Sequence, residues 1–137
     1  MKGIIASNTS WSIYNFRLSL IDHFDSKGIE ISTITSDEEY SHKIPAKNFP
    51  FLPNPKTLNL FLIFSSLMRT YFFLKKANFD FLMTFTVRTS IEVAILNIFI
   101  RKPLFMTING LGILNKGENS SLGYLLRNIL RIIIPIA

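Results

Sequence analysis

Short apolar runs alternate with helix-length amphipathic stretches along the sequence, and this alternation limits the possible folds more than any other feature. KGIIAS, residues 2–7, is long enough for a buried strand and too short for a helix. From Asn15 to Lys27, helical spacing puts Phe16, Leu20, Ile21 and Phe24 on one side and Asn15, Ser19, Asp22 and Ser26 on the other. Gly28 supplies a C-terminal stop, and IEISTIT from Ile29 makes a second strand. Past the acidic loop SDEEYS, the stretch KNFPFLP allows a short strand hemmed in by Pro50, Pro53 and Pro55.

A helical pattern then runs from Leu58 to Lys76, rich in aliphatic and aromatic groups over much of its circumference. LNLFLIFSSLMRTYFFL is broken by Asn59, Ser65, Ser66, Arg69 and Thr70, and falls short of the ~20 apolar residues that span a bilayer. The expectation is a helix buried against a sheet, its outer side available to lipid or a second domain. FDFLMTF is the next strand, followed by a helix from Thr89 to Ile100 with Ile91, Ala94, Ile95 and Ile98 on the buried side. PLFMTI from Pro103 makes a further strand. A last helix is expected from Ser120, with Leu122, Leu125, Leu126, Ile129, Leu130 and Ile133 facing the core and Pro135 ending it. Strands alternating with helices in this way predict a three-layer, Rossmann-like α/β fold with a mostly parallel sheet.

Composition narrows the function classes. The absence of cysteine removes disulfides and thiolate metal ligands, and the two histidines, His23 and His42, lack the companion carboxylates of a zinc site. No metal and no cofactor is expected. The opening MKGIIASN holds too few apolar residues for a signal peptide, so the expected address is cytoplasmic. Net charge is +6, and residues 101–137 carry five Lys/Arg against one Asp/Glu. A basic tail suits anionic membrane surfaces or phosphate-bearing substrates. Nucleic acid is disfavoured, because the cations are scattered among aliphatics with no aromatic-basic platform.

In an open parallel sheet the ligand crevice lies beyond the carboxyl ends of the strands. Four segments therefore define the candidate site: residues 7–17, 35–40, 84–88 and 109–114. The first carries Trp11, Tyr14 and Arg17. Flat rings with polar edges suit stacking on a sugar, although both aromatics also fit a core. A cation in the first turn of a helix faces the positive end of the macrodipole and calls for an anion. For Arg17 that anion is Asp37, Glu38 or Glu39 of the next loop, or a ligand phosphate or acceptor sugar. Thr84, Thr86, Arg88 and Thr89 form a polar cluster after a buried strand, with Thr89 and Glu92 in capping-box spacing. Asn109, Gly110 and Gly112 make the turn NGLG, which permits close backbone approach but lacks the lysine of a phosphate loop. ASNTSW after the first strand is likewise no dinucleotide-binding turn.

Taken in order, SWSIYNFRLSLI, TFTVRTSIEVAI and MTINGLGILN resemble the N-terminal domain of the family-four glycosyltransferases. These are retaining, two-Rossmann-domain enzymes, and the closest likeness is to those of bacterial capsule, O-antigen and exopolysaccharide assembly. Val87 stands where the family commonly has proline, and Arg88 keeps a cation at the turn without keeping lysine. The resemblance implies that residues 1–137 form an incomplete N-terminal, acceptor-side domain. It also implies that Trp11, Tyr14, Arg17, Thr86, Arg88, Asn109, Gly110 and Gly112 border an acceptor cleft, with no catalytic residue among them.

On this reading the chain is the acceptor-binding half of an enzyme that moves a sugar from a nucleotide-sugar donor to a lipid-linked saccharide acceptor. The donor would bind only once a separate C-terminal half completes the fold. The expectation is therefore a fragment of transferase lineage, inactive alone and peripheral at the inner face of the cell membrane. The alternative is a non-catalytic α/β binding or membrane-association module that uses helix faces rather than the strand-end crevice.

Overall fold

The computed structural model describes residues 1–54 and 56–107. The NGLG turn with Asn109, Gly110 and Gly112, and the helix expected from Ser120, lie outside the described residues. Among the described residues five parallel strands form one sheet: β1 (Lys2–Ala6), β2 (Glu30–Ile34), β3 (Lys47–Phe49), β4 (Phe81–Phe85) and β5 (Leu104–Thr107). Their order is β3-β2-β1-β4-β5. The helices are α1 (Ser10–Phe16), α2 (Leu18–Ser26), α3 (Leu60–Lys76) and α4 (Val87–Ile100).

Side-chain alternation sorts the strands between two apolar layers. Ile4 and Ala6 of β1, Ile34 of β2 and Leu82 of β4 point to the face that also buries Leu74 of α3 and Val93 of α4. Ile5, Ile31, Phe81 and Phe85 point the other way, into a cluster with Ile13 of α1 and Ile21 of α2. The period-two pattern thus fills a core on each side of the sheet, as a doubly covered parallel sheet requires. Gly3 is part of this fit. A Cβ there would lie 2.3 Å from the Phe81 ring and 2.8 Å from Ile31 Cδ1.

Three local expectations are corrected. The single helix from Asn15 to Lys27 is two helices that begin earlier, at Ser10, and break at Arg17 (φ −132°, ψ 1°). The Arg17 N–H closes α1 on the Ile13 carbonyl at 2.9 Å, and its carbonyl accepts the Ile21 N–H at 3.0 Å. The second correction concerns α4, which starts at Val87 and buries Thr89, Ser90, Val93, Ala94 and Leu96, leaving Ile95 and Ile98 exposed. Helix α3 is the third. Its C-terminal half packs through Thr70 and Leu74, while Leu60 (79% exposed) and Phe61 (77%) stand in solvent. Gly28 (φ 70°) makes the expected left-handed stop after α2. Strand β3 ends at Phe49, directly before Pro50.

Candidate functional site

The strand order reverses at β1. The chain winds outward through β2 and β3, then crosses to β4 and β5 on the opposite side. Loops after β1 and β4 therefore leave the sheet in opposite directions, and a crevice opens between them at the carboxyl edge. Its walls come from the first and third of the segments identified in the sequence.

On the β1 side, Thr9 caps α1 by accepting the Ser12 N–H at 3.2 Å, and Ser7 Oγ and Ser12 Oγ lie 3.0 Å apart. Asp37, from the loop after β2, accepts hydrogen bonds from both the Ser10 N–H and the Ser10 hydroxyl. A carboxylate thus sits at the positive end of α1, where the aligned peptide dipoles stabilise it. Ser10 Oγ in turn accepts the Tyr40 N–H at 3.0 Å, and Ser36 Oγ donates to the Asn8 carbonyl at 2.5 Å. Asn48 ties the same loop down, donating to the Asp37 carbonyl at 3.1 Å and to Ser41 Oγ at 2.7 Å. The β1 and β2 loops therefore form one hydrogen-bonded rim.

Tyr14 stacks on Tyr40 with ring centroids 5.5 Å apart, and Lys43 Nζ lies 5.4 Å and 5.1 Å from the two rings. Trp11, one turn before Tyr14 on α1, faces outward. It is 48% exposed and meets Phe16 edge-on at 5.5 Å. The two aromatics of the first segment are thus split between a packed tyrosine pair and an open indole. Both lie on α1, where a loop was expected.

Arg17 has none of the three acidic partners expected of it. Its guanidinium carbon lies 4.0 Å above the Phe85 ring at the end of β4, so the side chain bridges the two walls of the crevice. Nη1 donates to the Phe16 carbonyl at 2.8 Å, while Nε is buried with no hydrogen-bond partner. Desolvation lowers the Arg17 pKa, and the group remains protonated at any physiological pH. A cation held this way supplies donor capacity toward an anion or a sugar hydroxyl.

On the β4 side, Thr86 is the residue before α4, held at φ 78° and ψ 144°. Only glycine visits that region readily, so the threonine stores backbone strain at the crevice edge. Its hydroxyl donates to Thr89 Oγ1 at 3.2 Å, and Thr84 Oγ1 pairs with Ser90 Oγ at 2.9 Å. The Thr89–Glu92 capping box does not form, because the helix begins two residues before Thr89. Glu92 instead pairs with Arg88, Nε to Oε1 at 2.8 Å. Burial raises the Glu92 pKa, and the Arg88 hydrogen bond and charge oppose that shift. Among the described residues no three His, Cys, Asp or Glu side chains converge as metal ligands.

The geometry thus brings Arg17 together with the β4 end beside Thr86, and sets Tyr14 into the rim. It leaves Trp11 on the outer face of α1. The sequence reading missed the Ser10–Asp37 link and Phe85 as the seat of Arg17. The first was signalled by a helix N-terminus facing an acidic loop across the crevice.

No protein-family model matches this chain, and no curated protein matches it. Solved structures do match. The crystal structure of Acinetobacter baumannii MurG superposes with a TM-score of 0.62 over 94% of this chain, at 9% sequence identity. The three-layer, mostly parallel sheet resembles the N-terminal half of a GT-B glycosyltransferase fold. The chain spans 40% of the MurG chain. Identity at this level speaks for the fold alone, and chemistry must be argued from the site. In this fold the crevice between the β1 and β4 loops carries Arg17 and Thr86 at its two walls.

Proposed function

We propose that this chain is the acceptor-side half of a retaining glycosyltransferase of bacterial surface polysaccharide assembly, binding a lipid-linked saccharide to which a sugar is moved from a nucleotide-sugar. The observation that carries the reading is Arg17, set on Phe85 across the topological switch point with a buried Nε left unbonded. Such a group offers hydrogen bonds to an acceptor hydroxyl or phosphate within a crevice whose floor is fixed by the Ser10–Asp37–Tyr40 rim. Tyr14 and the Thr86–Arg88 turn border the same crevice, and the open Trp11 ring serves as an outer stacking surface. Asn109, Gly110 and Gly112, outside the described residues, belong to the acceptor set in this proposal.

Transfer also requires stabilisation of the leaving diphosphate as charge develops on it. That task is assigned to a donor-binding half, so the chain alone binds acceptor without turning over. No cofactor or metal is called for, and nucleic acid is not a partner. The site of action is the inner face of the cell membrane. No described helix is long and apolar enough to cross a membrane, and the exposed apolar residues of α3 and α4 fit peripheral attachment. Those same faces favour the competing reading of a non-catalytic membrane-association module.

The test is a transfer assay with nucleotide-sugar and lipid-linked saccharide, run on the purified chain with and without a C-terminal half encoded nearby. Restoration only with the second half supports the proposal. Turnover by the 137-residue chain alone refutes its division of labour. Saccharide binding that is unchanged in Arg17→Met refutes its acceptor site.

A further inference from the structure

A separate cleft, of about 240 Å³, lies at the other end of the strands, where β1, β2 and β3 begin and α3 ends. Strand pairing builds its floor. Lys2 of β1 is in register with Glu30 of β2, and one row further Ile4, Ser32 and Lys47 stand side by side across β1, β2 and β3. Register partners share a face, so these side chains lie on the side of the sheet that α3 covers, with Ile4 in its core layer. Phe49 and Phe73, ring centroids 4.3 Å apart, line the cleft, as does Asn78 in the link from α3 to β4.

Where Ile4, Ala6, Ile34 and Leu82 make this layer aliphatic, Ser32 and Lys47 break it. The half-buried Ser32 hydroxyl has no hydrogen bond to any described residue, whereas Thr33 beside it and Thr35 just beyond both bond to Asn48. The Asn78 amide is likewise unengaged among the described residues, while Asn48, Asn54, Asn59 and Asn97 each fasten a loop or a helix end. Two lysines against one glutamate leave a positive surplus. Glu30 is held by Lys2, Oε2 to Nζ at 2.9 Å, so the surplus belongs to Lys47, whose Nζ sits 5.1 Å from the Phe49 ring.

The room exceeds the ~150 Å³ that admits a benzene ring, enough for one six-membered ring with a charged substituent. A hydrocarbon acid would cover Ser32, Asn78 and Glu30 without giving them partners, which costs affinity. Hydroxyl groups donate and accept at once and suit all three. We propose that this cleft binds a small hydroxylated ring bearing one anionic group, a sugar phosphate or a sugar acid. The anion meets Lys47, the hydroxyls meet Ser32, Asn78 and Glu30, and the ring lies against Phe49 and Phe73. The inference goes beyond the acceptor reading and stands without it, because the length of β1 separates this cleft from the β1–β4 crevice.

Calorimetric titration and amide chemical-shift mapping of the intact chain test this. Glucose-6-phosphate and glucuronate are the anionic probes, with glucose and inorganic phosphate as controls. At least one sugar anion should bind about tenfold or more tighter than either control, the size of one charge-assisted contact, and the tighter of the two tells phosphate from carboxylate. Shifts should centre on Ser32, Lys47 and Asn78. Lys47→Gln should reduce the sugar anion to the level of glucose, and Ser32→Ala with Asn78→Ala should weaken it about tenfold. Arg17→Met, in the distant crevice, should leave it unchanged. Lys47 and Asn78 are exposed and Ser32 is half-buried, so unfolding midpoints should match wild type. If a variant fails to fold, the wild-type shift map decides. Glucose or inorganic phosphate binding as tightly as both sugar anions, no saturation below about 10 mM, or indifference to either set of cleft substitutions each overturns the proposal. Shifts centred on the carboxyl-edge loops, or binding lost in Arg17→Met, would put the anion in the crevice and overturn it as well.

Discussion

Replacing Arg17 with methionine separates the two roles that the side chain can have. In the folded chain the guanidinium gains from the Phe85 ring at 4.0 Å, a contact worth about 0.5–2 kcal/mol. It also makes an exposed hydrogen bond to the Phe16 carbonyl, worth about 0.5 kcal/mol. Against these stands the buried Nε without a partner, whose lost hydration costs about 1–3 kcal/mol. Methionine removes that cost, keeps an unbranched stem over the ring and adds a sulfur–aromatic contact of about 0.3–1.5 kcal/mol. Taken at mid-range the balance is a gain of about 1 kcal/mol, or a rise in Tm of about 3–5 °C, and its extremes run from a loss of about 1 to a gain of about 3.5 kcal/mol. Acceptor affinity should move the other way, falling about tenfold or more with the loss of a charge-assisted bond. Thermal and urea unfolding give the first quantity, and saccharide titration of the same preparations gives the second. A variant destabilised by more than about 1.5 kcal/mol would refute the reasoning, because Arg17 would then be holding the fold together.

Thr86→Gly should raise stability by about 1 kcal/mol in urea unfolding, since glycine adopts φ 78° without the strain that threonine bears; a loss would show that the Thr86–Thr89 hydrogen bond outweighs that relief. Gly3→Ala should destabilise by about 1–3 kcal/mol, because its Cβ meets the Phe81 ring and the Ile31 methyl within a packed layer; an unchanged unfolding midpoint would contradict that packing. For Glu92, burial raises the carboxyl above its ordinary 4.5, with the Arg88 bond only partly opposing. The fold therefore favours the protonated form: this contribution is complete below 4.5 and is lost as pH rises through the folded value. Glu92→Gln should flatten the stability–pH profile above that point and be no less stable than wild type at pH 7. A deficit of more than about 1 kcal/mol there would mean that the ion pair with Arg88 dominates.

What the sequence determined is what local periodicity and turn chemistry can determine. KGIIAS and FDFLMTF placed β1 and β4 because they are apolar runs too short for a helix, as strands buried on both faces are. Gly28 and Pro50 stopped their elements because one tolerates a left-handed φ and the other donates no ladder hydrogen bond. The regular alternation of elements also gave the three-layer parallel class, and with it the edge where a site lies. Tertiary structure decided the rest. Helix α4 is apolar on nearly every side, from Ile91 through Ile100, so no stripe in its sequence told which face the sheet would take. Helix α3 has the same ambiguity along its length, and only contact with Phe51 and the sheet settled Thr70 and Leu74 as its buried end. Arg17 shows the limit most clearly: its sequence neighbourhood pointed to the acidic loop after β2. The strand order instead placed β4 beside β1, so Phe85 lay beneath the guanidinium, and Asp37 was already held by the N-terminus of α1. Which groups meet across a parallel sheet depends on the order in which distant strands pair, and that order is a property of the packed core as a whole.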